Sequence, residues 1–408
     1  MTAPPDPRRM AALMVQGVID GQMLPDVPVP AADPATRAQA QRLALATLRN
    51  LQRADTVLRP HLRHEPVSAV MAALRVGVVA MLDQNEAAHG VVNATVEALK
   101  ANPATARAAG LANAVLRKAA RHDGWAALPV QRLPGWLRRR LKGVYGETTL
   151  QAIEAAHHRG AALDLTLKPG ASAPEGADPV GASWRLNAGV QVSALPGYDA
   201  GDWWVQDAAA ALPAGMLAVQ PGETVLDLCA APGGKTMQLA AAGARVTALD
   251  LSQGRLKRLH ENLERTGLTA AIVCADVLDW TPPAPVDAVL LDAPCSATGT
   301  IRRHPDLPMV RKPADVEGLT DLQARLIDRA LTFLKPGGRL VYCTCSLLPD
   351  EGEAQVAAAL ARHPGLTAAT PPQPLGRATA EGGWRTRPDD HETGIDGFYM
   401  ALLRRAPA

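Results

Sequence analysis

Residues 225–236 read VLDLCAAPGGKT, in which an apolar strand gives way to small residues, a glycine pair and the start of a helix. Small residues in a strand-to-helix loop let a ligand approach the backbone, and the amides of a helix N-terminus favour negative groups. Strand-like and helical runs alternate around this stretch: Thr224–Leu228, Lys235–Ala242, Arg245–Leu249, Gln253–Thr266, Ala270–Cys274, Val286–Leu291, Thr320–Leu334 and Arg339–Tyr342. The alternation predicts a doubly wound α/β domain whose parallel sheet binds ligand at the carboxyl ends of its strands.

The chain before residue 206 is organised differently. Its first 125 residues place apolar side chains at three- and four-residue spacing, which is typical of amphipathic helices. The helical segments predicted there are Ala35–Leu58, Val67–Leu82, Val91–Lys100 and Ala104–Arg121. We therefore expect an all-α domain over residues 1–128.

A transitional region lies between the helical and α/β parts. It combines a pair of helices within Leu133–Ala156 with two strand-like runs, Leu163–Leu167 and Val190–Leu195, separated by loops rich in Pro, Gly and Ala. These elements predict a small α+β linker subdomain over residues 129–205, so that the α/β domain occupies residues 206–408.

Charge is distributed unevenly along the 408 residues. Residues 1–150 carry 19 Lys and Arg against 11 Asp and Glu, whereas the remainder carries 23 against 29. A basic N-terminal third favours a polyanionic partner, although solvated helix faces also vary in charge. Aromatic residues make up only 3% of the chain, which argues against a protein whose main work is to stack bases on exposed rings.

The cysteines and the chain ends indicate the compartment. All five cysteines lie after residue 228, and an odd, clustered set in a large chain is not a disulfide framework. No apolar run approaches the length of about 20 residues that a membrane span requires, and the first ten residues lack the apolar stretch of a signal peptide. We expect a cytoplasmic protein with reduced thiols and no membrane partner.

Two kinds of site fit the glycine-containing loop. Its end, Gly234-Lys235-Thr236, matches a phosphate-binding P-loop, but Cys229 stands where that loop needs its first glycine. An adenosyl or dinucleotide site instead needs an acid about 20 residues further on, which binds ribose hydroxyls. Acids end or follow three successive predicted strands, at Asp250, Asp276 and Asp292. Three acids in phase with the strands favour the adenosyl cofactor over a nucleoside triphosphate.

Two cysteines follow predicted strands within polar turns, Cys295 in DAPCS (292–296) and Cys345 in TCS (344–346). Zinc would need a second ligand pair beside Cys343 and Cys345, and a cysteine protease would need a positioned histidine. The nearest histidine in sequence, His304, lies in an arginine-rich loop. We expect no metal site, and we expect Cys343 to pack within its strand.

The chemistry left for these groups is methylation of a pyrimidine at C5. That carbon is a poor nucleophile until a thiolate adds at C6, after which a base must remove the C5 proton so that the thiol can leave. An acid near N3 and the exocyclic amine stabilises the charge. Cys345, Cys295 and Asp292 can supply the nucleophile, the base and the acid.

Taken together, the motifs CAAPGGK (229–235), DAPCS and TCS resemble those of the Sun-type RNA cytosine-5 methyltransferases, which use S-adenosylmethionine. The resemblance extends to Gly394–Tyr399 near the C-terminus. The run SATGTIRRHPD (296–306) is similar to the bacterial branch that methylates small-subunit ribosomal RNA. Gly110–Arg117 resembles the NusB RNA-binding fold. The implied architecture is a NusB-like all-α domain followed by a Rossmann-like methyltransferase domain, with the α+β linker between them.

The resemblance also implies a role for each site residue. Cys345 is the nucleophile that attacks C6, Cys295 promotes product release, and Asp292 faces the target base and borders the cofactor. Asp250 binds the ribose and Asp276 the adenine end of S-adenosylmethionine. The cofactor loop consists of Cys229, Ala230, Ala231, Pro232, Gly233, Gly234 and Lys235.

The expected partner is RNA, either 16S rRNA or a small-subunit assembly intermediate, bound by a monomer. Arg302 and Arg303, which follow the Cys295 loop, and Arg138 and Arg139 in a basic cluster are the candidate RNA contacts. The target cytosine must leave its stack to reach a thiol. A different class of protein stays open, namely a non-catalytic RNA-binding, antitermination-like factor with a degenerate enzyme domain.

Overall fold

The computed structural model describes residues 6–187 and 189–407 and divides the chain into two compact units. The helical unit contains the chain up to Arg159 together with Arg303–Arg311, and the α/β unit contains Gly160–Arg302 and Lys312–Ala408. The predicted linker subdomain is therefore divided, because its helices belong to the first unit and its strands to the second.

Helices build the helical unit, and those before residue 125 pack around one core. They are α1 (Pro7–Ile19), α2 (Pro34–Arg49), α3 (Leu51–Leu58), α4 (Ser68–Leu82), α5 (Ala88–Lys100), α6 (Ala109–Ala119), α7 (Gly135–Arg159) and, from the later segment, α11 (Leu307–Val310). The N-terminus of α1 is capped by Asp6, whose carboxylate accepts a hydrogen bond from the Arg8 amide at 2.8 Å. Helix α7 is two helices joined at Gly146 (φ 77°), as the predicted helical pair required.

Helix α4 lies at the centre of this unit. It buries 11 of its 15 residues and packs against α1, α2, α3, α5 and α6, which is the environment of a helix that is apolar on all sides. Gly77 allows the close approach of α6, since a Cβ at this position would lie 3.0 Å from a methyl group of Leu116.

The segment Arg303–Arg311 was predicted to lie in the α/β domain, but it packs within the helical unit. The Asp306 carboxylate is buried and accepts a hydrogen bond from the Leu24 amide at 2.9 Å. Met309 and Val310 pack against the core of the helices. The apolar side chains of this short segment are thus covered by helices more than 200 residues earlier in the sequence.

The α/β unit contains two sheets. Its strands are β1 (Leu163–Leu167), β2 (Asp178–Val180), β3 (Ser183–Leu186), β4 (Trp203–Val205), β5 (Thr224–Leu228), β6 (Arg245–Asp250), β7 (Ala271–Cys274), β8 (Val286–Asp292), β9 (Leu334–Thr344), β10 (Thr367–Ala369), β11 (Arg377–Ala378), β12 (Trp384–Thr386) and β13 (Phe398–Arg404). Its helices are α8 (Ala208–Leu217), α9 (Gly234–Ala241), α10 (Gln253–Thr266), α12 (Pro313–Thr332) and α13 (Glu353–Arg362). The small sheet, in the order β2-β3-β1-β4, is antiparallel and is joined to α8 through Asp164, which accepts a hydrogen bond from the Ala208 amide at 3.0 Å.

The large sheet positions the candidate site. Its parallel part has the order β7-β6-β5-β8-β9, and β5 and β8 are almost continuously buried, as expected for central strands covered on both faces. The sheet is mixed, because β13 pairs antiparallel with β9 and is followed by β12 and β11.

Two further observations concern the predicted elements. The strand predicted at Val190–Leu195 is instead a single 3-10 turn at Val192–Ala194, followed by a loop with Gly197 in the left-handed region (φ 82°). Within the part of the chain that the structure describes, no helix has the length and apolarity needed to cross a membrane.

Candidate functional site

The site lies along the edge of the large sheet that is formed by the carboxyl ends of its parallel strands. Asp250 and Asp292 are the last residues of β6 and β8, and they pair with Cys274 of β7 and Cys343 of β9 respectively. Asp276 follows two residues after β7. The structure therefore brings the three predicted acids to one edge of the sheet.

The loop between β5 and α9 has a tightly fixed backbone. Cys229 and Gly233 both adopt left-handed conformations, with φ of 60° and 103°. A Cβ at Gly233 would lie 2.9 Å from Leu259 Cγ, so this position accepts little besides glycine. The Ala231 amide donates a hydrogen bond to Asp250 Oδ2 at 3.1 Å, which joins the loop to the end of β6.

Asp250 and its neighbour provide groups that fit an adenosyl cofactor. The Asp250 carboxylate is 3% exposed and sits where a strand-end acid can accept ribose hydroxyls. The next residue, Leu251, is 71% exposed, which is unusual for a leucine and provides an apolar surface for a flat base. Sequence reasoning missed Leu251, although an apolar residue directly after a strand-ending acid is a usable signal.

Lys235 and Asp292 form an ion pair at the centre of the edge. Lys235 Nζ lies 2.7 Å from Asp292 Oδ2 and 5.2 Å from the centroid of the Phe398 ring. Burial is the largest effect on the pKa of Lys235 and acts to lower it, but the charge of Asp292, the hydrogen bond with Asp292 and the charges of other neighbouring groups together hold that pKa above its usual value. Because a P-loop lysine must reach phosphates, its pairing with Asp292 argues against the nucleoside triphosphatase alternative.

The two predicted catalytic cysteines meet beside this ion pair. Cys295 Sγ and Cys345 Sγ are 3.4 Å apart, and both residues are half-buried. The hydrogen bond with Cys345 and burial both raise the pKa of Cys295 well above its ordinary value. Cys295 is therefore held as a neutral thiol that can donate a hydrogen bond to Cys345.

The remaining cysteines differ from this pair. Cys343 is fully buried, and its Sγ lies 3.6 Å from Asp292 Oδ1; burial and the charge of Asp292 raise its pKa. Burial likewise raises the pKa of Cys229, while Cys274 is exposed at the end of β7. The described residues include no group of three or more His, Cys, Asp and Glu that could hold a metal ion.

The predicted RNA contacts separate into buried and exposed arginines. Arg302 is 1% exposed and forms ion pairs with Asp207 at 2.8 Å and Asp396 at 3.4 Å, so its assignment as an RNA contact was wrong. Its guanidinium neutralises two buried carboxylates and cannot also face a phosphate. Arg303 is exposed.

In the basic cluster of α7, Arg138 is half-buried and contacts Glu147 and, at 3.2 Å, Glu154. These two carboxylates leave Arg138 poorly placed to attract a phosphate. Arg139 is exposed. The exposed Arg139 and Arg303 stay predicted RNA contacts.

A second residue that the sequence did not reveal is Glu351. It follows β9 by seven residues and is completely buried behind the two cysteine loops. No local sequence motif indicated that Glu351 is buried, because an acid in a Pro-Asp-Glu turn normally faces solvent.

Comparison with known proteins identifies the family to which the chain is similar. Residues 214–404 match the family model described as 16S rRNA methyltransferase RsmB/F, and residues 6–121 match the NusB family. The ribosomal RNA small subunit methyltransferase B of Xanthomonas campestris is 39% identical over 92% of this chain and 90% of that protein. Its counterpart from Vibrio cholerae is 36% identical over 98% and 97%. The crystal structure of PH0851, at 22% identity, covers 99% of this chain and 100% of its own with a TM-score of 0.78, and it shows the same fold.

These findings confirm the predicted family and the predicted fold class, an all-α NusB domain followed by a Rossmann-like methyltransferase domain. The match to the curated relatives extends over nearly the whole length of both proteins. The chain belongs to the RsmB/F family of 16S rRNA methyltransferases.

Proposed function

We propose that this protein transfers a methyl group from S-adenosylmethionine to C5 of a cytosine in small-subunit ribosomal RNA, through a covalent bond between Cys345 and C6. The observation that carries the proposal is the 3.4 Å separation of Cys295 Sγ and Cys345 Sγ beside the Lys235–Asp292 pair. Membership of an rRNA methyltransferase family supports the reaction class and the RNA substrate.

Each residue of the site has its own role in the proposed reaction. The Cys345 thiol gives its proton to solvent and its sulfur bonds to C6 of the cytosine, while Asp292 faces N3 and the exocyclic amine and stabilises the charge that develops there. The electron-rich C5 then takes the methyl group. Cys295 first gives its own thiol proton to solvent and then, as a thiolate, accepts the C5 proton, and the bond between Cys345 and C6 breaks so that Cys345 leaves as a thiolate. The raised pKa of Cys295 makes its thiolate a strong proton acceptor, as this step requires.

S-adenosylmethionine supplies an activated methyl group when it is bound at the strand edge. The loop from Cys229 to Lys235 would border it, Asp250 would accept hydrogen bonds from its ribose, and Leu251 would provide an apolar surface for its adenine. Asp276, a half-exposed carboxylate after β7, would hold the adenine end. The proposed steps use no metal ion.

The RNA partner is assigned from charge and family. The excess of Lys and Arg in residues 1–150 and the exposed Arg139 and Arg303 provide phosphate contacts. The target is 16S rRNA or an assembling small subunit, and we propose that a cytoplasmic monomer performs the reaction. The intact cysteine pair is not what a degenerate enzyme domain would be expected to keep, so the antitermination-like alternative is not favoured.

The first test incubates the purified protein with S-adenosylmethionine carrying an isotopically labelled methyl group and with unmodified small-subunit rRNA. Mass spectrometry of the digested nucleosides is expected to find labelled 5-methylcytidine. Label on another nucleoside would overturn the cytosine-5 assignment. Failure to bind the cofactor would instead favour the non-catalytic RNA-binding protein.

Two cysteine variants then test the covalent mechanism. We expect Cys345→Ala to abolish methylation, and Cys295→Ala to slow product release so that a protein–RNA adduct accumulates on a denaturing gel. Cys274→Ser, which alters an exposed cysteine outside the pair, is the matched control and is expected to behave as the wild type. Methylation by Cys345→Ala at the wild-type rate would refute the mechanism.

A further inference from the structure

Glu351 contacts both cysteine loops from behind. Its Oε2 accepts hydrogen bonds from the hydroxyls of Ser296 and Ser346, each at 2.5 Å. These serines directly follow Cys295 and Cys345 in the sequence. One carboxylate oxygen therefore joins the residues next to the two thiols.

The other oxygen of Glu351 strengthens the same connection. Oε1 accepts from the Ser296 amide at 2.8 Å and from Gln323 Nε2 at 3.2 Å, and Gln323 also donates to the Pro294 carbonyl at 2.8 Å. All four groups donate to Glu351, which is the arrangement of an ionised carboxylate. A fully buried charge is costly to desolvate, and four hydrogen bonds offset that cost only while both loops keep this geometry.

The backbone of Glu351 is itself fixed to β9. Its carbonyl accepts from the Tyr342 hydroxyl at 2.8 Å and from Thr344 Oγ1 at 3.1 Å. The side chain thus reaches from the strand that carries Cys345 to the loop that carries Cys295. Thr298 adds a parallel connection, since its hydroxyl accepts from the Leu347 amide at 2.9 Å and lies 3.2 Å from Ser346 Oγ.

We propose that Glu351 is a positioning residue that sets the distance between Cys295 and Cys345 by binding Ser296 and Ser346 with one carboxylate. The inference rests on the proposed function for its role in methyl transfer. Fixed thiols would allow Cys295 to reach the C5 proton while Cys345 is bonded to C6, without a loop movement during the reaction. The negative charge of Glu351 also contributes, after the Cys345 hydrogen bond and burial, to the raised pKa of Cys295.

The first experiment measures the geometry of the thiol pair without RNA or cofactor. Phenylarsine oxide bridges two thiols that are already close together, with release of water, so its affinity reports how well the pair is preorganised. We expect Glu351→Gln and Ser346→Ala each to weaken binding of this arsenical by about tenfold, as the loss of one charge-assisted hydrogen bond implies. Arsenical binding that is lost in both Cys295→Ala and Cys345→Ala is the binding at this cysteine pair.

Asp350→Asn is the matched control. It removes the same charge from the neighbouring residue, which is exposed, and it should leave the affinity for the arsenical unchanged. If Glu351→Gln does not fold, Ser296→Ala and Ser346→Ala carry the test, since each removes a single hydroxyl. Wild-type affinity in the folded variants would overturn the proposal.

Two further measurements separate positioning from general stability. Glu351→Gln should lower kcat for methyl transfer while the KM for S-adenosylmethionine stays close to that of the wild type, because the cofactor loop lies on other elements. Alkylation of Cys295 should also shift to lower pH in this variant. A rise in KM with unchanged kcat would contradict the proposal. If the wild type itself transfers no methyl group, the proposed function fails, yet the arsenical affinities still decide whether Glu351 positions the thiols.

Discussion

Asp227 offers a sharp test of the electrostatics beneath the cofactor loop. It is fully buried near the end of β5, where its Oδ2 accepts a hydrogen bond from Thr236 Oγ1 at 2.5 Å. Within the described residues, Oδ1 has no hydrogen-bond partner. Burial raises the pKa of Asp227 from 3.8 to about 7, against the opposing effects of the Thr236 hydrogen bond and the Lys235 charge. Asp227→Asn keeps the shape of the side chain and removes its titration.

The sign of the effect follows from the two pKa values. Because the pKa is higher in the folded protein, the folded chain holds a proton that the unfolded chain has lost at pH values between 3.8 and about 7. The stability present below pH 3.8 is therefore lost as the pH rises through this window, and the loss is complete just above it. Between pH 5 and pH 8 the difference between the folded and unfolded pKa values of Asp227 is expressed over roughly 2 pH units, which is about 3 kcal/mol of unfolding free energy.

The assay compares wild type and Asp227→Asn in urea titrations at pH 5 and pH 8. Unfolding is followed by hydrogen exchange in peptides from β5 and β8, so that only the α/β unit contributes. The wild type should lose about 3 kcal/mol more stability than the variant between the two pH values. Asp276→Asn, which removes a half-exposed carboxyl from the same edge, is measured beside it as the matched Asp-to-Asn control. Equal pH dependence of wild type and Asp227→Asn would refute the reasoning.

Two further predictions concern a buried ion pair and a constrained glycine. Arg302→Met should destabilise the α/β unit by about 3–5 kcal/mol in urea titrations, because Asp207 and Asp396 lose the guanidinium that offsets their buried charges. Arg303→Ala should instead change stability by less than about 0.5 kcal/mol and reduce the salt dependence of RNA binding by about one phosphate contact, so equal destabilisation by both would contradict the assignment. Gly233→Ala should weaken S-adenosylmethionine binding in calorimetry through strain of about 1–3 kcal/mol in the loop. Gly254→Ala, where a Cβ meets no atom within 4 Å, is its control, and equal affinities for the two variants would show that the loop tolerates a side chain.

Much of the α/β unit could be predicted from the sequence because its strands have a simple signal. Central parallel strands are buried on both faces and appear as short apolar runs, which is why β5 and β8 were located almost to the residue. The C-terminal strands β10–β13 were missed, since short antiparallel edge strands have weak apolar patterns and depend on pairing with β9. The position of Arg303–Arg311 could not be predicted from the sequence either, because a contact such as that of Asp306 with Leu24 joins residues 282 positions apart.

The chemical site was predictable to the extent that strand ends fix it. Asp250, Asp292 and both cysteines end or follow apolar runs, and the sheet brings them to one edge. The arginines were less predictable, because the residue types in Ile301-Arg302-Arg303-His304 do not distinguish a buried ion pair from a solvated contact. Arg302 can be buried because it pairs with the carboxylates of Asp207 and Asp396, each about 95 positions away in the sequence.

The cysteine pair shows how topology produces a site that spacing alone does not reveal. Cys295 and Cys345 are 50 residues apart, and they meet because β8 and β9 are parallel neighbours connected through α12. Crossover connections of this kind are right-handed, and the second strand returns beside the first. In this register Asp292 lies opposite Cys343, which leaves each thiol two or three residues beyond the paired positions. Beyond the last strand pair the Gly299 amide still donates to the Cys345 carbonyl at 2.9 Å, and Glu351 and its serine partners add a side-chain constraint on the two turns.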